Sequence, residues 1–414
     1  TAQKDKKINV YYCNNEGAYI SKDGRTFEKI ESTSYPTTEP MNIKVSPLNS
    51  NKMLLIDRQG TYQNYPYYST DGGKTWKNST LSDELSFMPY NNRMSIPMWS
   101  TIEENKVWIH TQGDYASSST DSGKTFKWDS NGITGILSGG NVHYNVYNPD
   151  IIYFGSQDYD GCVTTDGGKT WKYISMSGYR WGGFCYGGYA VDENTYFVGV
   201  SDSWHNPRKL KITFDGGKTI IDTGMYFTKE NINTGIESSY QSPTNPKVLF
   251  ACDLRSEDGG HTWAKMDGCI NVYTHNPKGQ KELYGMDETG KYIVTSYDDG
   301  KTWKKVNNTE FIPNPKYASA HILDVAYDWK NEVAYAACEG GYLYKTSTKD
   351  GSVECVLNRY VEEYKRAPVN LKGGYSISKV AVDPIDPNIT YCGGAGNTFL
   401  NDCALYRSVD GGKS

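Results

Sequence analysis

The stretch YYSTDGGKTWK, residues 67–77, decides the fold of this chain, because close copies of it recur along the sequence. Four of these copies are SSTDSGKTFK (118–127), VTTDGGKTWK (163–172), RSEDGGHTWA (255–264) and TSYDDGKTWK (295–304). Aligned on their aspartate, the turns lie at Asp23, Asp71, Asp121, Asp166, Asp215, Asp258, Asp298 and Asp410, with a degenerate turn at Asp350. A spacing of about 40–60 residues predicts a repeated unit of four short strands.

Each residue type in the repeat suits a tight reversal between two strands. The short Asp71 side chain can accept hydrogen bonds from backbone N–H groups of its turn, and Gly73 can adopt a positive φ. The hydroxyl groups of Ser69 and Thr75 can satisfy further local groups, and the Trp76 ring is expected to pack between neighbouring sheets. The repeated aspartates are therefore predicted to be structural rather than catalytic.

The motif resembles the Asp-box, or BNR, repeat of sialidases, of tandem-propeller xyloglucan hydrolases and of sortilin-type ten-bladed receptors. Full matches span Ser69–Trp76, Ser119–Phe126, Ser256–Trp263 and Ser296–Trp303. Thr164 replaces the serine in one turn, and Ile220 stands where another turn would carry its aromatic residue. The resemblance implies an all-β fold, a multi-bladed β-propeller of four-stranded antiparallel blades.

A second recurring feature organises the chain around these turns. A corner rich in Pro and Asn joins two apolar runs ahead of the Asp turn, as in KVSPLNSNKMLLI (44–56) and YNVYNPDIIYFG (144–155). We therefore expect seven or eight complete propeller blades across residues 1–414, with partial units at 1–30 and 376–414. Since the partial units do not complement each other, we expect part of a longer chain with further domains, forming two tandem propellers of unknown boundary or about ten blades. A ring of nine units is the weaker alternative.

The composition limits the classes of partner. The chain has 43 Lys and Arg, 48 Asp and Glu and a net charge of −5, with no basic stripe of the kind that binds nucleic acid. No apolar run is long enough to cross a membrane, so no membrane insertion is expected. The 9 Cys form no CxxC or Cys/His cluster, which predicts no metal site and no cofactor and leaves one or two disulfides open.

The variable loops carry the candidate binding residues. In proteins with the Asp-box, the resemblance places ligand sites on the face opposite the Asp turns, where the second and third strands of a blade, and successive blades, are joined. Aromatic rings beside charged groups suit a sugar chain, because rings stack on its C–H faces and polar groups bind its hydroxyls. The candidates are Arg58, Tyr62, Arg93, Trp99, Tyr115, Tyr159, Arg180, Trp181, Trp204 and Arg208.

Four aspartates on the same loops are the candidate catalytic residues: Asp114, Asp158, Asp160 and Asp202. Glycoside hydrolysis needs a protonated acid and a second carboxylate that acts as base or nucleophile. Asp158 and Asp160 alternate along an extended segment and so share one side, and Asp158 is the candidate general acid. The sequence alone does not decide which pair converges.

These features predict a secreted, extracellular protein that acts on a polysaccharide or glycan, as a glycoside hydrolase or lyase of the Asp-box type. The alternative is a non-enzymatic adhesion, receptor or virion-surface propeller that binds a glycan or a protein, and a third possibility is a spacer between other domains. Sialidase activity is disfavoured, because Ser95 stands in MSIPMW where sialidases carry an arginine.

Overall fold

The computed structural model describes residues 9–59, 64–81, 94–111, 115–129, 138–156, 160–179, 183–203, 206–227, 238–278, 281–311, 321–358, 377–395 and 403–414. Strands β1–β35 and no helix occur within these ranges, which confirms the all-β prediction. The chain divides into two compact units, Thr1–Leu137 with Gly178–Gly182 and Ser138–Ser177 with Gly183–Ser414.

The described residues of the first unit form three sheets. The first sheet contains β1 (Val10–Asn14), β2 (Gly17–Ser21) and β3 (Glu28–Ile30), and the second contains β4 (Pro40–Val45), β5 (Met53–Arg58), β6 (Asn64–Ser69) and β7 (Lys77–Asn78). The third contains β8 (Thr80–Leu81), β9 (Met94–Trp99), β10 (Val107–Thr111), β11 (Tyr115–Ser119) and β12 (Thr125–Trp128). In this third sheet β8 pairs in parallel with β12, whereas the neighbouring strands pair antiparallel.

Six consecutive antiparallel sheets form the described part of the second unit. The first three are β13 (Ser138–Tyr144), β14 (Ile152–Ser156), β15 (Gly161–Thr164) and β16 (Lys172–Ile174); β17 (Phe184–Ala190), β18 (Tyr196–Ser201), β19 (Lys209–Thr213) and β20 (Ile221–Tyr226); and β21 (Ser239–Gln241), β22 (Leu249–Ala251), β23 (Leu254–Ser256) and β24 (Ala264–Lys265). The others are β25 (Asn271–His275), β26 (Leu283–Met286), β27 (Ile293–Ser296) and β28 (Lys304–Lys305); β29 (Ile322–Asp328), β30 (Val333–Cys338), β31 (Tyr342–Ser347) and β32 (Val353–Asn358); and β33 (Lys379–Val382), β34 (Thr390–Ala395) and β35 (Cys403–Ser408).

The hydrophobic core of the second unit lies between neighbouring sheets. One cluster joins Phe197 and Leu210 of one sheet to Leu249 and Leu254 of the next, and all four side chains are buried. The first strands of successive sheets also pack against each other, from β13 to β17 and onward to β33. This sheet-on-sheet succession is the packing of propeller blades.

The two ends of each four-stranded sheet have different connections. At the end that we call the Asp-box end, the corner between the first two strands meets the Asp turn between the last two. The N–H of Gly72 donates to the carbonyl of Asn51 at 3.0 Å, and the N–H of Gly259 donates to that of Lys247 at 2.9 Å. The other end, where the second strand continues into the third and the fourth into the next sheet, is called the loop end.

Hydrogen bonds within the Asp turns follow one pattern. At Asp298, the carboxylate accepts from the Ser296 hydroxyl at 2.8 Å and from the backbone N–H and hydroxyl of Thr302 at 2.9 and 2.7 Å. The same partners occur at Asp71, Asp121 and Asp258, and threonines replace the serine at Asp166 and Asp215. Each turn therefore satisfies its own backbone with its own side chains.

The turn glycines also set how closely neighbouring sheets approach. Gly300 has a φ of +80°, and a Cβ atom there would lie 2.5 Å from the ring of Phe250 in the preceding sheet. Trp76 is buried against a cluster that includes Ile30 and Tyr35 of the preceding segment, and its Nε1 donates to the carbonyl of Gly73 at 3.0 Å. The turns thus stabilise contacts between sheets as well as the reversal itself.

Eight cysteines with described side chains are free thiols. Cys162, Cys185, Cys252, Cys269, Cys338 and Cys392 are buried, where they pack as small apolar residues. Among the described residues, no helix is long and apolar enough to cross a membrane.

Candidate functional site

Asp160, a predicted catalytic residue, lies at the loop end between β14 and β15 with its side chain completely buried. The carboxylate accepts from the backbone N–H of Ser177 at 2.6 Å, from the Ser177 hydroxyl at 3.1 Å and from the Tyr173 hydroxyl at 3.2 Å. Burial raises the pKa of Asp160 to about 6, against the opposing effect of these donors. This environment does not suit the predicted catalytic role, because the carboxylate oxygens bind internal donors and do not face solvent.

The backbone of Asp160 explains why the side chain turns inward. Its φ of +57° lies in the left-handed region, which Asp and Asn tolerate better than most residues. The carboxylate therefore ties the start of β15 to Ser177, which follows β16 in the same sheet. We assign Asp160 the role of holding this loop end together.

Asp202 is the exposed member of the predicted acids whose position the structure describes. It follows β18 at the loop end and accepts from the Asn206 amide at 2.8 Å. Arg208, in the same connection, has 9% of its surface exposed, and its carbonyl accepts from the N–H of Phe227 at 3.0 Å. The connection thus presents a carboxylate to solvent, while Arg208 packs inside.

Arg58, a predicted binding residue, ends β5 at the loop end of the first unit. Its guanidinium group lies 3.4 Å from the Glu39 carboxylate, and both side chains are about half exposed. The neighbouring Asp57 is buried and accepts from the N–H of Glu39 at 2.8 Å. Arg58 therefore remains accessible beside a buried aspartate, in the way that Asp202 is accessible beside buried Arg208.

The position of Trp99 corrects a prediction. It was expected on the loop face, but it is the last residue of β9 and precedes the corner at 100–106, at the Asp-box end. Its Nε1 donates to the carbonyl of Lys44 at 3.1 Å. The residues MSIPMW, 94–99, form a strand that carries Trp99 to the opposite end.

The other predicted site residues lie outside the described residues, so the structure does not bring them together or separate them. They are Asp114, Asp158, Tyr62, Arg93, Tyr159, Arg180, Trp181 and Trp204. Tyr115 begins β11, and its side chain is not among those described.

Sequence reasoning did not identify a cavity in the second unit, which we call the hub cavity. It has a volume of about 190 Å³ and is lined by residues of β13, β17, β21, β25, β29 and β33 together with Ser238. Because one strand of each of the six sheets contributes, the cavity lies where the first strands converge. Its polar and aromatic lining includes His143, Tyr144, Tyr240, Tyr273, Asp324 and Lys379.

An ion pair and an enclosed imidazole dominate the electrostatics of the hub cavity. Lys379 Nζ lies 3.7 Å from Asp324 Oδ2, which also accepts from the N–H of Val380 at 3.1 Å. Burial, and to a lesser extent the positive charge of Lys379, lowers the pKa of His143 to about 3, so the imidazole is neutral at physiological pH. His143 Nε2 has no hydrogen-bond partner within the described ranges.

The signal for this cavity was present in the sequence but ambiguous. Lys379 and Asp324 are charged residues within apolar first strands, SKVAV and ILDVAY. Such a residue predicts either a partner or an accessible cavity, and the sequence does not show that strands separated by more than fifty residues bring these two together. No group of three or more His, Cys, Asp or Glu side chains able to hold a metal ion occurs in the part of the chain that the structure describes.

Comparisons with known proteins agree with this architecture. The BNR/Asp-box repeat model matches residues 67–78. A stretch of 137 residues, 31% of this chain, is 29% identical to vacuolar protein sorting/targeting protein 10 of Colletotrichum graminicola, and it covers 8% of that protein.

Solved structures that align with this chain include two GH74 enzymes. The GH74 xyloglucanase from Xanthomonas campestris aligns with a TM-score of 0.51 and 14% identity, over 96% of this chain and 57% of that one. The GH74 enzyme of Niastella koreensis aligns with a TM-score of 0.43 and 12% identity, over 99% of this chain and 67% of that one. The present chain therefore spans little more than half of the xyloglucanase and a small part of the sorting protein. With its recurrent Asp turns and successive antiparallel sheets, the chain is similar to the β-propellers that carry the Asp-box (BNR) repeat.

Proposed function

We propose that this protein acts outside the cell on a polysaccharide, which it binds across the loop ends of its sheets and hydrolyses with a pair of loop carboxylates. The observation that carries the proposal is the contrast between the two ends of the sheets. Carboxylates at the Asp-box end are engaged by their own turns, as at Asp298, whereas Asp202 and Arg58 at the loop ends are accessible. Charged side chains at the loop ends are therefore better placed to contact an external substrate than the carboxylates of the Asp turns.

Hydrolysis requires two carboxyl groups with different protonation states on either side of the glycosidic bond. Asp202 is a candidate for one member of this pair, because it is exposed at a loop end and accepts a hydrogen bond from the Asn206 amide. Asp158, which belongs to the same unit as Asp202, is the candidate for the second member and keeps the role of proposed general acid. The internal hydrogen bonds of Asp160 support its exclusion from the pair.

Xyloglucan is the first substrate to test, because a solved structure with a similar fold is described as a xyloglucanase. A glucan backbone presents the C–H faces and hydroxyl groups that the predicted aromatic and arginine residues can bind. A sequence identity of 14% guides which substrates to test first, and it does not by itself assign xyloglucanase activity to this chain.

The test is incubation of the purified protein with xyloglucan, cellulose, mannan and pectin, followed by measurement of reducing ends and chromatography of the products. Asp202→Asn, Asp158→Asn and Asp114→Asn are compared with Asp222→Asn, which changes an exposed aspartate paired with Lys209. Loss of a general acid or base typically lowers the rate about 10²–10⁴-fold. We expect at least one loop variant to lose turnover by about 10²-fold or more while Asp222→Asn retains it. Absence of products from all four polysaccharides, or full turnover in all three loop variants, would contradict hydrolysis.

A second candidate function is non-enzymatic binding of a glycan or protein, and the sequence similarity to a sorting and targeting protein favours it. Binding to a glycan or peptide array without any product would support this function. Product formation that depends on Asp202 would reject it as the principal role.

A further inference from the structure

The hub cavity has the size of a site for one small unit rather than for a polymer. Its volume of about 190 Å³ lies below the range of roughly 300–1,000 Å³ that is typical of pockets for drug-sized ligands. A single ring-sized group is therefore the largest ligand that the cavity takes without rearrangement.

The Lys379–Asp324 pair defines the polar chemistry of the ligand. At 3.7 Å, the distance between Nζ and Oδ2 is longer than a hydrogen bond, and the Lys379 side chain is 47% exposed. A ligand oxygen that bridges the two groups would have to accept a hydrogen bond from the ammonium and donate one, through its own O–H, to the carboxylate. A hydroxyl group does both, whereas a carboxylate or phosphate dianion cannot donate to Asp324 and would be repelled by it.

Aromatic rings supply the complementary apolar surface. The Tyr144 side chain is 61% exposed and lines the same cavity, together with the half-buried rings of Tyr240 and Tyr273. Sugar rings combine C–H faces that stack on tyrosine with hydroxyls that bind a donor and an acceptor at once. A neutral sugar therefore matches both the rings and the ion pair.

We infer that the hub cavity binds one neutral sugar residue, free or at the end of a glycan, through the Tyr144 ring and the Lys379–Asp324 pair. This site is separate from the loop-end site. The inference rests on the proposed function only for the choice of sugars among hydroxyl-bearing ligands.

The experiment is saturation-transfer-difference NMR on the intact chain with glucose, xylose, galactose and mannose, each tested alone, and with glucuronate and inorganic phosphate as anionic probes. Tyr144→Ala is matched with Tyr297→Ala, because Tyr297 is 59% exposed and lies outside the cavity. Lys379→Met is matched with Lys349→Met, which changes an exposed lysine paired with Glu332. Melting temperatures establish that each variant is folded, and Tyr144→Ala keeps the test valid if Lys379→Met is unstable.

We expect at least one neutral sugar to bind, with affinity about tenfold lower in Tyr144→Ala and Lys379→Met and unchanged in both controls. Absence of binding by all four neutral sugars, equal binding by the cavity variants and controls, or a Lys379-dependent preference for glucuronate or phosphate would overturn the inference. Polysaccharide hydrolysis is measured on the same samples. If polysaccharide is hydrolysed but no neutral sugar binds, the hub-cavity inference alone has failed. If a neutral sugar binds through Tyr144 and Lys379 but no polysaccharide is hydrolysed, the proposed hydrolysis alone has failed.

Discussion

The Asp-box end and the loop end of the sheets use the same residue type in opposite ways. Asp166 at an Asp-box end is only partly buried, and the Thr170 hydroxyl is the main cause that lowers its pKa to about 2. Asp160, at the loop end of the same sheet, is buried, and burial raises its pKa to about 6. Position within the blade therefore decides what an aspartate does, and proximity to a variable loop does not by itself make a carboxylate available to a ligand.

Gly300→Ala tests the structural role of the Asp-box end and has the largest expected effect on stability. The added methyl group would lie 2.5 Å from the buried Phe250 ring at a φ of +80°. Overpacking and left-handed strain together are expected to cost about 3 kcal/mol of unfolding free energy, measured by chemical denaturation. Gly259→Ala is the matched control, because Gly259 has a φ of +78° with nothing within 4 Å of the added methyl, and it should cost only about 1 kcal/mol. Equal costs would contradict the role of close packing between sheets.

Asp298→Ala removes an acceptor that binds the Ser296 hydroxyl and both the N–H and hydroxyl of Thr302. We expect a loss of about 2 kcal/mol in unfolding free energy and no direct effect on ligand contacts. Asp350→Ala in the degenerate turn, where the exposed carboxylate accepts from the N–H of Ser352 at 3.0 Å, should cost much less than Asp298→Ala. If binding falls in Asp298→Ala without any loss of stability, the Asp-box end is more than a structural element.

The pH dependence of the free energy of unfolding distinguishes the aspartates at the two ends of the sheet, with a smaller expected change than the substitutions above. The pKa of Asp160 is raised in the folded state, so the folded state binds more protons than the unfolded state between about pH 4 and 6. The contribution of Asp160 to the free energy of unfolding therefore falls as the pH rises through this range. Asp166 has a lowered pKa of about 2, so its contribution is present above about pH 4 and is lost as the pH falls toward 2.

Asp160→Asn isolates the first effect. Asparagine tolerates the φ of +57° and keeps an acceptor for the N–H of Ser177. Relative to Asp160→Asn, the unchanged protein should lose on the order of 1–2 kcal/mol between pH 4 and pH 6 in denaturation experiments. Parallel pH profiles of the two proteins would show that Asp160 is not a titrating buried group.

The repeat predicted the architecture well, because hairpin turns are local. Ser69, Asp71, Gly73 and Thr75 bond within seven residues of sequence, so their spacing alone defines the reversal. The corner residues and the alternation of apolar strands are equally local signals. The all-β class, the four-stranded sheets and the propeller fold could therefore be predicted without coordinates.

The site was harder to predict, because its properties depend on distant contacts and on backbone conformation. The segment SQDYDG does not show that Asp160 turns inward toward Ser177, which lies 17 residues away. MSIPMW does not show that β9 carries Trp99 away from the loop end. The hub cavity is lined by both His143 of β13 and Lys379 of β33, and no sequence spacing indicates that these two residues share a cavity.

Hydrogen–deuterium exchange of the protein with and without the polysaccharide that gives the strongest signal in the substrate screen tests the central claim most directly. The account predicts slower exchange in loop-end peptides, including the connection that holds Asp202, and unchanged exchange in the turns around Asp258 and Asp298. Protection confined to those turns, with the loop-end peptides unaffected, would contradict it.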